Sequence, residues 1–282
     1  MEDLIKRMDK LLNRFILESK KFVNYGAFPY GLMDLLRGDK RSNKLGDDFE
    51  YFTFTKSTKT LVSIRKLLTI NNNEDVIILS RSIFENYLSC RYLVENNEKF
   101  DDFVSNPMGL ALAHFNLDPQ TGEIINREKK VIGVLENPNN FKLGDDKKYY
   151  YDFYAFLCLF THCNFGVLEC YVDKNSLFTV DKVNHAELSR LITLFTFTKL
   201  FETVVTVEGE DFKDKRTEKR CYQLVKDSIK LQQQVFDSIM ANYQTDEGDE
   251  FYKFRNRRMR KMLKEMKKSL KEELGSVNKT DL

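Results

Sequence analysis

A chain of 282 residues, 42% of them hydrophobic and 31% charged, has enough apolar surface for a sizeable core, which excludes a disordered polymer. Twelve Gly and four Pro are too few for the many tight turns of a sandwich or barrel, so helices are favoured. With 23 Phe, 13 Tyr and no Trp the core is expected to be Phe-rich, and a net charge of +2 by itself selects no class of partner.

From Leu4 to Val23, apolar residues recur at Leu4, Met8, Leu11, Phe15, Ile16, Phe22 and Val23 with Lys and Arg between them, the pattern of an amphipathic helix ending near Asn24 and Gly26. A loop-rich stretch follows with Pro29, Gly31, Gly38 and Gly46, and a short helix is expected at Leu32–Leu36. A long helix is predicted over Asp48–Ile70, broken by Asn71-Asn72-Asn73. Asn73 is the expected N-cap of the next helix, Glu74 to about Asn96, whose first turn carries Glu74 and Asp75. Lys99 to Leu117 reads as a helix started or interrupted at Pro107, and Asp118-Pro119-Gln120-Thr121-Gly122 is a turn. Ile124 to Leu143 is expected to be an irregular or hairpin-like insertion. Three more helices, about Lys147–Val172, Lys182–Val207 and Phe212–Tyr243, complete the body, and a last one runs from Asp249 to about Leu274. The expected fold is all-α: one large bundle of seven to eight helices with a basic C-terminal helix. The expected division is 1–46 as an N-terminal helix and loop-rich segment, 47–245 as the main domain, and 246–282 as the basic helix and tail.

The helix containing Leu79-Ser80-Arg81-Ser82-Ile83-Phe84-Glu85 is apolar nearly all round, which is the pattern of a buried helix. Arg81 and Glu85 stand at i and i+4 on it, share one face and can pair. His162, one of three histidines, lies midway along the predicted Lys147–Val172 helix. Two apolar helices in one domain are expected to be neighbours, so Arg81, Glu85 and His162 could converge, with Tyr87, Thr161 and Asn164 around them. Such a trio can act chemically, an Arg neutralising phosphate charge and a His moving a proton. It can equally be a buried network that fixes helix register.

A buried Arg-x-x-x-Glu helix followed by Tyr-Leu and a later Thr-His helix resembles a family of uncharacterised bacterial all-helical proteins. The residues that match are Arg81, Glu85, Tyr87-Leu88, Tyr92-Leu93 and Thr161-His162, across about residues 60–175. That family is similar in general character to HEPN-type nuclease-like proteins of bacterial defence and toxin–antitoxin loci. The resemblance implies a nucleic-acid-acting protein, a metal-independent ribonuclease toxin or antiphage effector, with Arg81, Glu85 and His162 as its catalytic set. In HEPN-type ribonucleases the Arg and His share one helix; here they would come from two. The competing expectation is a non-enzymatic helical scaffold or sensor with the same residues as a core network.

Other motifs carry less. The five cysteines are odd in number and include no C-x-x-C, so a disulfide framework is not expected and a reducing cytoplasm fits. Cys158 and His162 stand at i, i+4, but Cys163 points away from Cys158 on a helix, so no metal and no cofactor is expected. There is no Gly-rich phosphate loop. His114 and His185 fall in ordinary amphipathic segments. The acidic start, Met1-Glu2-Asp3, shows no signal peptide, and the apolar stretch Tyr154–Val172 contains His162, Asn164 and Glu169, so no membrane association is expected.

Between Lys253 and Lys271 ten Lys or Arg stand against one acid, Glu265, which leaves about −7 for the rest of the chain. Phe251, Arg255, Met259, Met262, Met266 and Leu270 trace one stripe of this segment. Arg255, Arg257, Arg258, Arg260, Lys261 and Lys264 are its candidate contacts to RNA or to an acidic protein surface, a second copy of the acidic body included. A helix simply packed on its own body by the Met stripe is the plain alternative.

Overall fold

The computed structural model describes residues 2–26, 45–96, 99–135, 138, 141, 148–163, 165–173, 175, 177–180, 185–207 and 215–242. Among these are seven α-helices and one small sheet, so the all-α expectation holds. The helices are α1 (Glu2–Gly26), α2 (Leu45–Thr69), α3 (Asn73–Glu95), α4 (Phe100–Ala111), α5 (Lys148–Thr161), α6 (Ala186–Val207) and α7 (Lys215–Asn242). The expected short helix at Leu32–Leu36, the loop-rich segment around it, Asn164, and the basic helix with Arg255, Arg257, Arg258, Arg260, Lys261 and Lys264 lie outside the described residues.

Contacts fix the directions of the helices. Asn86 donates to Ser57 and Cys90 meets Thr53, so α2 and α3 run antiparallel. Ser189 reaches Asn73 and Thr193 reaches Ser80, so α3 and α6 run parallel. Phe15 packs on Phe197 and Phe201 while Asp9 binds Arg190, which sets α1 parallel to α6. Arg7 and Arg14 of α1 bond Gln234 and Asp227 of α7, an antiparallel pair. The body is therefore an up-and-down bundle built around α6.

Helix α6 shows why this arrangement is required. It has almost no apolar face to distinguish from a polar one, and every residue from Ser189 to Phe201 is buried. A helix buried on all sides must be the centre of the bundle. The core is Phe-rich as expected, with Phe15, Phe54, Phe197 and Phe201 on one side of α6 and Phe84, Phe153 and Phe195 on the other.

Three local expectations need correction. Asn73 is the first residue of α3 rather than its cap; it is buried and accepts a hydrogen bond from Ser189 at 2.8 Å, while Asn72 flanks the helix and binds Asp75. The helix expected over Lys99–Leu117 ends at Ala111, with Pro107 inside it rather than at a boundary, and Asn116–Leu117 is a strand. The predicted Lys147–Val172 helix stops at Thr161 and is followed by a 3₁₀ segment, Phe165–Cys170. Thr161, His162 and Cys163 are poor helix formers and exposed, the Thr161 hydroxyl turns back onto the Leu157 carbonyl, and Gly166 follows, so neither propensity nor burial carries the helix onward.

Between α4 and α5 the expected hairpin-like insertion is a three-stranded antiparallel sheet: β1 (Asn116–Leu117), β2 (Glu123–Ile125) and β3 (Val131–Val134). Its first turn forms as the sequence predicts. The Asp118 carboxylate accepts the Gln120 and Thr121 N–H groups, and Gly122 supplies the positive φ of 73°. Among the described residues, no helix is long and apolar enough to cross a membrane.

Candidate functional site at the edge between α3 and α5

Helix α3 buries the side that carries Val76, Ile83, Phe84, Tyr87 and Cys90. The i, i+4 spacing of Arg81 and Glu85 puts both on the flank of that buried side, where α5 crosses. Phe153 of α5 packs edge-on against Phe84 at 4.8 Å, and this anchor brings the neighbouring Tyr154 onto Arg81.

Three groups then close on one another. Arg81 Nη2 lies 2.8 Å from Glu85 Oε1 and donates to the Tyr154 hydroxyl at 3.0 Å. The Tyr154 hydroxyl in turn donates to the same Glu85 oxygen at 2.9 Å. The guanidinium carbon sits 5.3 Å from the Tyr154 ring centroid, within cation–π range. Burial alone would lower the Arg81 pKa, but the Tyr154 hydrogen bond and the Glu85 charge outweigh it, so the pKa is raised and the group stays charged. Burial pushes the Tyr154 hydroxyl up; Arg81 opposes this and Glu85 adds to it, so the phenol is held protonated.

The cluster is only partly enclosed, the Arg81 and Glu85 side chains keeping 16% and 31% of their exposure. Arg81 Nε is buried and has no partner among the described residues, so the guanidinium keeps unused donor capacity. Arg81 also interacts with Cys158, one turn beyond Tyr154 and half-buried. One further turn on is His162, exposed, its backbone N–H bonded to the Cys158 carbonyl at 3.1 Å.

The expected residues are thus distributed unevenly. Arg81 and Glu85 pair as anticipated. His162 is not inside a buried helix; it is exposed and stands just past the end of α5 at Thr161. Thr161 is exposed beside it and bonds only back to Leu157 among the described residues. Tyr87 points into the core against Phe84, at 5.6 Å between ring centroids, and belongs to the packing rather than to this edge. Tyr154, the group that joins the helices, did not stand out in the sequence. Its signal was available: a Tyr on an apolar helix needs a partner for its hydroxyl, and Tyr154, Cys158 and His162 are spaced i, i+4, i+8. No group of three or more His, Cys, Asp or Glu among the described residues could hold a metal ion.

Residues 48–178 match the model of a family of unknown function (DUF5677). The span runs from α2 past the 3₁₀ segment and includes Arg81, Glu85, Tyr154 and His162, in agreement with a resemblance to an uncharacterised family. No curated protein and no solved structure matches the chain.

Proposed function

We propose that this chain acts on RNA as a metal-independent ribonuclease whose site is the edge between α3 and α5. The observation that carries this reading is the line of Tyr154, Cys158 and His162 on successive turns, with Arg81 hydrogen-bonded at its first member. That spacing puts His162 about 12 Å along the helix axis from Tyr154, with Cys158, which interacts with Arg81, between them.

In the reaction the His162 imidazole takes the proton of a ribose 2′-hydroxyl. The 2′-oxygen attacks the adjacent phosphorus, the bond from phosphorus to the 5′-oxygen breaks, and the leaving oxygen takes a proton from water. The imidazolium then returns its proton to solvent. Arg81 offsets the charge that builds on the phosphoryl oxygens, and Glu85 and Tyr154 orient it. The basic segment Lys253–Lys271 recruits RNA. Such an activity suits a cytoplasmic toxin or antiphage effector, similar in character to HEPN-type proteins.

A second reading, a non-enzymatic scaffold or sensor, is favoured by one observation: Glu85 already neutralises Arg81 at 2.8 Å, and Tyr154 stitches both to α5, as a structural clamp would. Incubation of the purified protein with labelled RNA in EDTA separates the two. The ribonuclease reading expects products with 2′,3′-cyclic phosphate ends, reduced at least a hundredfold in His162→Ala. Intact RNA with the wild-type protein would leave the clamp.

A further inference from the structure

The other flank of α3 carries a feature that this chemistry does not use. A cleft of about 480 Å³ runs along the outer face of α2, bounded on the far side by Leu79 of α3. Phe52, Lys56, Lys59 and Ser63 line it at spacings of four, three and four residues, so each turn of α2 presents one of them. Phe52 is 63% exposed, an unusual position for a large aromatic ring on a helix that buries Phe54 completely and packs Phe49 against the core.

Along the stretch of α2 that lines the cleft the charges have one sign. From Tyr51 to Asn73 the chain has no Asp or Glu, and its cations are Lys56, Lys59, Arg65 and Lys66. Arg65 is committed elsewhere, to Asp9 and Asn13. Lys56 and Lys59 are exposed, with no ion pair at either among the described residues. The Thr60 and Ser63 hydroxyls donate to the Lys56 and Lys59 carbonyls, which leaves their lone pairs available as acceptors.

We propose that this cleft is a binding track for single-stranded nucleic acid, with Lys56 and Lys59 on successive phosphates and Phe52 stacking on a base. A basic groove interleaved with an aromatic platform is the chemistry that holds single strands without reading sequence. An acidic peptide would satisfy the lysines but would leave the exposed ring without a stacking partner. The track rests on the RNA reading above and names its substrate class. A strand in the cleft has only the roughly 10 Å width of α3 to cross before it meets Arg81 and Tyr154.

Fluorescence anisotropy of the full chain with a labelled, uncleavable 2′-O-methyl oligouridine reads the track without the reaction. Lys56→Ala/Lys59→Ala is expected to weaken binding about tenfold and to lower the log–log salt slope by about 1.4, two contacts on a single strand. Phe52→Ala should weaken it about tenfold with the slope unchanged. Lys219→Ala/Lys230→Ala, which removes equal charge from the exposed face of α7, should stay within twofold of wild type. Wild-type affinity in the α2 variants, no binding by the wild type, or preference of the same lysines for oligoglutamate over the oligouridine would each overturn the track. The ribonuclease reading fails separately, by intact ordinary RNA in EDTA beside normal oligouridine binding.

Discussion

The surroundings of α6 and the edge between α3 and α5 use similar polar side chains to opposite ends. Around α6, Ser189 meets Asn73, Thr193 meets Ser80, and Thr198 meets Ser228 and Gln232, all buried and each pair drawn from two helices. Arg190, 4% exposed, is held by Asp9 and by the Ala186 carbonyl, and Asp9 also takes Arg65. At the edge, Arg81 is engaged through one nitrogen, its Nε is unpartnered among the described residues, and the line continues to an exposed His162. A polar residue in an apolar helix pattern therefore does not announce a site. The two regions differ in whether the neighbouring helices close around the polar groups.

If that contrast is right, damage in the closed region is thermodynamic and damage at the edge is functional. The largest loss of stability is expected from Asp9→Ala, which strips the shared carboxylate from two guanidinium groups, one of them buried. About 3 kcal/mol is expected, a fall in melting temperature of roughly 6 °C or more, read by calorimetry or urea unfolding. An unchanged midpoint would mean that water already screens Arg190.

A pH titration of stability comes next. The Cys90 thiol, buried against Thr53, is pushed up to about 12, chiefly by burial, and Cys221 to about 11 for the same reason. In the unfolded chain both ionise near the ordinary 9.0. Folded stability is then complete below pH 9 and falls above it, as the unfolded state releases protons that the folded state keeps, by about 1.4 kcal/mol per pH unit for each thiol. Cys90→Ala should make the fall between pH 9 and 12 shallower in urea titrations; an identical slope would contradict the burial account.

Tyr154→Phe is expected to have a smaller effect on stability, about 1 kcal/mol, because its two hydrogen bonds lie at a partly open edge. Its functional effect should be larger than its thermodynamic one, since Arg81 loses the group that holds it toward α5. Equal loss in both would place Tyr154 with the core network.

Much of the fold was legible in the sequence because it depends on periodicity. The apolar stripe of α1, the buried side of α3 and the turn at Asp118–Gly122 follow from residue spacing and turn chemistry. The nearly all-round apolar pattern of α3 overstated its burial, since Arg81 and Glu85 lie on a partly open flank. The end of α5 was not legible, because the apolar run continues past Thr161 into Phe165, Val167 and Leu168, and only the step Thr161-His162-Cys163-Asn164 and Gly166 interrupt it. That one misplaced boundary is why His162 was expected inside a helix and is found at its mouth. The Arg81–Glu85 pair could be read from i, i+4 spacing, whereas Tyr154 lies 73 residues from Arg81, and spacing along one helix carries no information about such a contact. The α2 cleft was missed because its lysines sit on an ordinary amphipathic pattern, and its outline depends on how α3 lies beside it.

The central claim, that the edge is chemical where the core is structural, is tested most directly by two readings on one preparation of His162→Ala: its urea midpoint and its rate of RNA cleavage in EDTA. The account predicts a midpoint within about 0.5 kcal/mol of wild type, as for an exposed residue, and a cleavage rate lower by at least about a hundredfold. A destabilised His162→Ala protein, or one that cleaves like the wild type, would contradict it.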